Sequence, residues 1–229
     1  MIITLLNNRL KPAVGDSERL SRELALLDSL PVRECIKVGL VYIGPGQLQQ
    51  SEILANTTDS CSQQYMDFLS SLGDKVELQT HCGFLGGLSA RGDGAHSVYY
   101  QDAQVELMYH VATHMPTSRS DPQQVGKKKH VANDYVHVVW NESGVLYDPY
   151  TISGHFNHVH IVIAPLSKLH QGSHDTGLRS YASQLYSVRV FSKPDVPAFG
   201  PLQDGMLVSG ATLGPLTRLT SISSSRAVR

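Results

Sequence analysis

Asn133 is the residue with the clearest chemical potential. It stands in the run Lys127-Lys128-Lys129-His130-Val131-Ala132-Asn133-Asp134-Tyr135. Three lysines and a histidine precede a carboxamide, and an apolar run from Tyr135 to Trp140 follows it. A carboxamide carries a donor and an acceptor on one short planar group. It can hold a water molecule and touch a phosphate oxygen together, a combination suited to phosphoryl transfer. Plainer roles are open for the same residues. Lys and His in the last turn of a helix complement its dipole. Asn is common just past a helix end. A lysine run is often a solvated helix face.

Other groups could also do chemistry. His158 and His160 would share one face of a strand. With His155, and a further ligand from His137 or His110, they could bind zinc. The alternative is an exposed, histidine-rich strand face. The glycines at Gly44-Pro45-Gly46 and at Gly83, Gly86 and Gly87 do not match the G-x-x-x-x-G-K-[ST] phosphate loop, so the chain is not expected to bind GTP itself. No G-x-S-x-G elbow occurs. Cys35, Cys61 and Cys82 form neither a disulfide framework nor a zinc pattern. Arg91-Gly92-Asp93 reads as a coincidental adhesion tripeptide.

The elements that would position Asn133 follow from periodicity. Asp16-Ser17 opens a helix with Leu20, Leu24 and Leu27 at helical spacing, and Pro31 ends it. Ile36 to Ile43 is almost continuously apolar and fits a strand buried on both faces. Gly44-Pro45-Gly46 is a turn. Ser62 caps a helix with Tyr65, Phe68, Leu69 and Leu72 inward, and Gly73 stops it. Short strands are expected at Val76–Leu78 and Ser97–Tyr100. A longer one should run from Val105 to about Met115. Asp121-Pro122 should start a helix reaching His130. Strands are expected at Tyr135–Trp140 and Val159–Ile163, joined through a turn at Asn141–Gly144. Leu178 to Phe191 fits helix and strand equally. Beyond Pro194 small and polar residues dominate, and Ser221–Arg229 is expected to be disordered. Strands alternating with amphipathic helices predict an α/β layer fold with a mixed sheet.

Composition narrows the function classes. The chain has 229 residues and a formal net charge of −1, which argues against a nucleic-acid-binding domain. No apolar run approaches the roughly 20 residues of a membrane span. Met1–Leu6 is too short for the core of a signal peptide. The cysteine usage fits a reduced, cytoplasmic protein.

The run Lys128-Lys129-His130-Val131-Ala132-Asn133-Asp134 resembles the catalytic segment of the Rap-GAP family of GTPase-activating proteins. That pattern is a basic pair, His, an aliphatic residue, Gly, Asn and Asp. Ala132 departs from it, and a positive φ there would make alanine costly. Ile36 to Gln47 is similar to the family's opening strand and turn. Gly83-Phe84-Leu85-Gly86-Gly87-Leu88 is similar to its Gly-Gly-Leu segment. Met115-Pro116-Thr117, Asn141-Glu142-Ser143-Gly144 and Phe156-Asn157-His158-Val159-His160 most resemble the family's tuberin branch. The likeness runs from about Ile36 to Leu166 and faintly to Phe199.

The resemblance implies a mixed sheet flanked by helices, loosely like the G domain the family acts upon. It implies a lead-in at residues 1–35, a catalytic domain at 36–205 and a tail at 206–229. It implies Asn133 as the catalytic group, with Lys127, Lys128, Lys129, His130 and Asp134 supporting it or contacting the GTPase. His130 would orient Asn133, and Asp134 would fix the turn by bonding to backbone. The implied partner is a Rheb-like small GTPase that brings GTP and Mg²⁺, so no resident cofactor or metal is expected. A hamartin-type partner would bind through a longer protein. A Rap-like GTPase, non-catalytic GTPase binding and a histidine-rich metal hydrolase are the alternatives.

Overall fold

The computed structural model describes residues 17–29, 32–166 and 181–229. The chain divides into two compact units, Met1–Val32 and Arg33–Arg229. In the first, α1 (Ser17–Asp28) carries i,i+4 ion pairs Arg19–Glu23 and Glu18–Arg22. The expected cap at Asp16, the stop at Pro31, the Met1–Leu6 segment and Leu178 lie outside the described residues.

The second unit is built on one eight-stranded mixed sheet in the order β2-β3-β4-β1-β5-β6-β7-β8. The strands are β1 (Glu34–Ile43), β2 (Asp74–Glu77), β3 (His96–Gln101), β4 (Val105–Val111), β5 (Val136–Asn141), β6 (Val159–Pro165), β7 (Leu185–Ser192) and β8 (Met206–Ser209). β4, β1, β5 and β6 run parallel, and antiparallel strands close both edges. β1 lies between β4 and β5 and is buried from Val38 to Ile43, as its unbroken apolar run requires. β4 ends at Val111, short of the expected Met115, because His114 N–H bonds to Val111 C=O at 3.0 Å and turns the chain. The Leu178–Phe191 ambiguity resolves to a 3₁₀ turn at Tyr181–Ser183 and the strand β7.

Alternation along the strands divides the core. One face carries Ile36, Val38, Leu40, Tyr42, Val138, Trp140, Ile161 and Ile163. It is covered by α3 (Gln63–Leu72), through Tyr65, Phe68, Leu69 and Leu72, and by α5 (Gly210–Val228). Ser62 caps α3 by accepting the Tyr65 N–H at 3.2 Å. The opposite face carries Val41, Ile43, Val139 and Val162 under α2 (Gln50–Ala55) and the end of α4 (Val125–Val131).

Two expectations need correction. Ser221–Arg229 is not disordered: residues 221–228 are the last part of α5, and Arg229 is its C-cap. Its hydroxyls return to the helix's own carbonyls, with Ser221 Oγ on Thr217 C=O and Thr220 Oγ1 on Leu216 C=O, both at 2.8 Å. Satisfied in this way, small polar side chains can be buried without loss. Arg218 then caps α3 through Leu72 C=O at 2.8 Å, and Arg226 pairs with Glu34 at 2.7 Å. The helix expected from Pro122 starts only at Val125. Gln124 is left-handed at φ 49°, and its side-chain amide folds back onto the Ser118 and Asp121 carbonyls.

Glu142 ties the face under α3 together. It accepts from Tyr42 Oη at 2.8 Å, Ser62 Oγ at 2.6 Å and Trp140 Nε1 at 2.7 Å. Replacing it by leucine leaves three donors without an acceptor, at about 1–3 kcal/mol for each that stays buried. Glu142→Leu is therefore expected to lose at least about 2 kcal/mol in urea unfolding. An unchanged midpoint would show that water satisfies these donors.

Candidate functional site

The site lies where α4 ends and β5 begins. The reversal takes three residues. Ala132 N–H bonds to Lys128 C=O at 2.8 Å, Asn133 N–H to His130 C=O at 3.1 Å, and Asp134 N–H to Val131 C=O at 3.2 Å. Ala132 sits at φ −69°, ψ −10°, so its methyl meets no backbone strain. Asn133 is exposed, and its side-chain Nδ2 donates to Lys129 C=O at 2.6 Å. The carboxamide is thus tethered to the helix end while facing solvent.

Asp134 is fully buried beneath it. Its carboxylate meets His110 Nδ1 at 2.7 Å and Lys37 Nζ at 3.7 Å. The expected bonding from Asp134 to the turn's backbone is not found; the carboxylate reaches across to β4 and β1 instead. His110 Nε2 faces Gly86 C=O at 3.1 Å, so the Gly-Gly loop is tied into the same cluster. Gly39 makes room for it. A Cβ there would lie 3.0 Å from Val131 Cγ1 and 3.4 Å from Asp134 Oδ2.

His130 is held by Asp93, Nε2 to Oδ1 at 2.6 Å, and Lys129 Nζ lies 3.4 Å from the same oxygen. Burial lowers the His130 pKa against the pull of Asp93. Burial alone would raise the Asp93 carboxyl, but bonds from His130 and the Ser89 N–H, with the Lys129 charge, bring it below the usual carboxylate range. The His130 and His110 rings meet edge to face at 5.3 Å.

The lysines separate. Lys129 is exposed, and Lys128 Nζ reaches Ser153 Oγ at 3.1 Å. Lys127 is buried at 1% exposure, its Nζ on Asn56 C=O at 2.8 Å, and burial brings its pKa down to about 8. It is therefore neither a solvated lysine nor one placed to touch a docked protein. The Asn56 side chain pairs reciprocally with Gln47, whose Oε1 also accepts the Gly44 N–H at 2.7 Å. Lys127 thus ties α4 to the turn after β1. Around Asn133 lies a cleft of about 510 Å³, walled by Lys128, Lys129, Ala132, Ser153, Gly154 and His155.

Asp93 and Lys37 escaped the sequence reading, and His110 entered it only as a candidate zinc ligand. Asp93 sits in the tripeptide read as coincidence, and the only signal was that His110 and Lys37 interrupt apolar strands. The zinc grouping is not assembled: among the described residues no three His, Cys, Asp or Glu side chains could hold a metal ion. Nor is the strand face exposed. His160 is buried, 5.0 Å from the His137 ring, while His155 is exposed. The three cysteines are free. No helix among the described residues is long and apolar enough to cross a membrane.

The eight-stranded mixed sheet with flanking helices matches a known class of domain. The Rap/ran-GAP family model covers residues 53–229, and the chain belongs to that family. Among its relatives, "Ral GTPase-activating protein subunit alpha-2" of Mus musculus is 40% identical over 93% of this chain and 10% of its own length. The "Tuberous sclerosis 2 protein homolog" of Schizosaccharomyces pombe is 36% identical over 91% of this chain and 15% of its own. The chain therefore spans about a tenth of the length of the first curated relatives it matches. A solved structure, "Structure of the TSC2 GAP domain", superposes with a TM-score of 0.74 at 33% identity, over 85% of this chain and 97% of that one.

The buried imidazoles set a pH dependence. Burial lowers His114 to about 4 and His160 to about 3, from 6.5. A histidine kept neutral by the fold binds fewer protons than in the unfolded chain, so its contribution is complete above 6.5 and lost as pH falls. Urea-unfolding stability is expected to decline steadily from pH 6.5 towards pH 4. A flat profile across that window would show that these rings take up protons without cost to the fold.

Proposed function

We propose that this domain accelerates GTP hydrolysis by a Rheb-like small GTPase, with Asn133 as the catalytic group. The GTPase docks with its bound GTP and Mg²⁺ against the α4–β5 turn. The Asn133 carboxamide enters the nucleotide site and positions water in line with the γ-phosphorus. The domain brings no cofactor and no hydrolytic activity of its own. The observation that carries this reading is the exposed, tethered amide above a buried Asp134–His110 pair.

An arginine finger stabilises transition-state charge and gives roughly 10³–10⁵-fold. Asparagine has no charge, so it acts by positioning, and holding reactants in place supplies a large part of a barrier on its own. Lys128 and Lys129 attract the phosphate-bearing face of the partner. His130 and Asp134 support the turn, and Lys127 supports α4 from within. A hamartin-type partner would engage a longer protein containing this domain, in the cytoplasm or on endomembranes.

A second GTPase is favoured by one observation: relatives at 40% identity are named Ral GTPase-activating protein subunits. A Rap-like GTPase is the remaining choice, and non-catalytic GTPase binding the remaining mode. Partner choice rests on contact differences of a few kcal/mol, so it is an experimental question. The test is single-turnover GTP hydrolysis with Rheb-, Ral- and Rap-like GTPases. Asn133→Ala is expected to reduce the stimulated rate by about 10²-fold or more while docking persists. Stimulation that survives the substitution would remove Asn133 from the chemistry.

A further inference from the structure

The Asp93 carboxylate is buried, at 5% exposure, and no part of the proposed chemistry employs it. It lies at the end of a turn, residues 89–93, that it closes itself. Asp93 N–H bonds to Ser89 C=O at 2.8 Å, and Asp93 Oδ2 accepts the Ser89 N–H at 2.9 Å. Leu88 anchors the start of the turn in a small apolar cluster with Leu78 and Met108. Gly94 carries the chain onward at φ 100°, so close to the His114 carbonyl that a Cβ would stand 2.5 Å from its oxygen. The carboxylate is therefore held in place independently of α4.

Its other oxygen, Oδ1, faces α4. It meets His130 Nε2 at 2.6 Å and Lys129 Nζ at 3.4 Å. Burial works against the charge, but the bonds from His130 and Ser89 keep Asp93 ionised at neutral pH. An ionised carboxylate only accepts, so His130 Nε2 carries the hydrogen. The two residues gripped in this way are the two from which Asn133 hangs. Its N–H bonds to His130 C=O at 3.1 Å, and its side-chain Nδ2 bonds to Lys129 C=O at 2.6 Å. The carboxamide thus takes its direction from two carbonyls whose own side chains converge on one buried oxygen. Asp93 itself lies outside the walls of the Asn133 cleft.

We propose that Asp93 is a positioning residue for Asn133: fixed in its own turn, it holds Lys129 and His130 and thereby aims the carboxamide. The consequence for rate rests on the proposed role of Asn133 in GTP hydrolysis; the mechanical link from Asp93 to the carboxamide does not. A neutral group that works by placement is sensitive to its support, since a misplacement of about 1 Å can cost about 10²-fold. Asp93→Asn keeps the size of the side chain and breaks the arrangement. An amide has one acceptor oxygen, whereas the Ser89 N–H and the His130 Nε2–H approach different oxygens. One of these bonds is lost, and Lys129 loses its counter-charge.

Nuclear magnetic resonance of the whole chain reads the link without a partner. In the unaltered protein the His130 ring is expected as the Nε2–H tautomer, and the Nδ1–H form would overturn the proposal. In Asp93→Asn the Asn133 carboxamide signals are expected to move towards those of a free side chain. The Asn56 and Asn141 carboxamides, held by bonds of their own, should keep theirs. Unmoved Asn133 signals, or all three moving together as in general unfolding, would overturn the link. In the single-turnover assay Asp93→Asn is expected to lower the plateau rate about tenfold or more, with no rise in the half-saturating concentration of domain. Added to Asn133→Ala it should cost nothing further, because it acts only through that amide. A rise in half-saturation alone, or a full second loss in the double variant, would give Asp93 a different role. If the domain accelerates none of the GTPases, the proposed function fails while the carboxamide signals still decide the positioning.

Discussion

Asp134 is a carboxylate with no exposure to solvent, one residue after the exposed Asn133. A buried charge must be paired or it is lost to the fold, and removing one partner of such a pair costs about 3–5 kcal/mol. Asp134 is paired with His110 on β4 and Lys37 on β1. Once it is anchored across the sheet, the chain direction at the end of α4 is set. Val131 goes down into the core and Asp134 into its ion pair; of the two residues between them, Ala132 packs against the domain and Asn133 faces out. The exposure of Asn133 is therefore a consequence of a buried electrostatic contact, not a property of a loose loop.

The sheet explains why that contact is possible. In register, His110 of β4 lies opposite Gly39 of β1, Gly39 opposite His137 of β5, and His137 opposite His160 of β6. One level of the sheet thus carries three imidazoles and a glycine on the face toward α4. Glycine at the centre leaves the depression into which Val131 and Asp134 settle. The imidazoles beside it supply polar edges where apolar side chains would leave the carboxylate and the helix-end carbonyls unpaired. His137 Nε2 takes the Val131 carbonyl at 2.6 Å in this way. The same row continues to His160, which lines a neighbouring cavity with Ile152 and Phe191. A single polar level of the sheet therefore borders both the Asn133 turn and the neighbouring cavity.

Much of this was legible in the chain where local rules agree with burial. Ser62, the apolar spacing of Tyr65, Phe68, Leu69 and Leu72, and Gly73 mark α3 because cap, periodicity and stop coincide. The unbroken run at Val38–Ile43 marks a central parallel strand for the same reason. Legibility failed where a long-range partner reverses a local preference. Lys127 looks like its neighbours Lys128 and Lys129, yet its fate depends on a carbonyl at Asn56, 71 residues earlier. Asp93 lies in a glycine-flanked loop that carries no local signal, and only the fold brings it to His130. The serines and threonines of α5 suggest disorder by composition. Thr220, Ser221 and Ser224 are buried with intrahelical bonds that conceal their polarity, which composition does not record.

The distribution of charge around Asn133 bears on the role proposed for its amide, which unlike an arginine carries no charge. Lys129 shares its charge with Asp93, and Lys127 is buried away from the surface. Lys128 is the least committed of the three, with a neutral hydroxyl as its partner. Little unpaired positive charge is thus presented beside the amide, and large electrostatic stabilisation of a developing phosphate charge is not the strength of this arrangement. What it offers is constraint. The amide is bonded to a carbonyl of its own helix, the helix end is pinned by Asp134 and His130, and α4 is fixed from beneath by Lys127. A neutral group can contribute to a loose phosphoryl-transfer transition state only by fixing where the water stands, and that requires the rigidity which these three buried contacts provide.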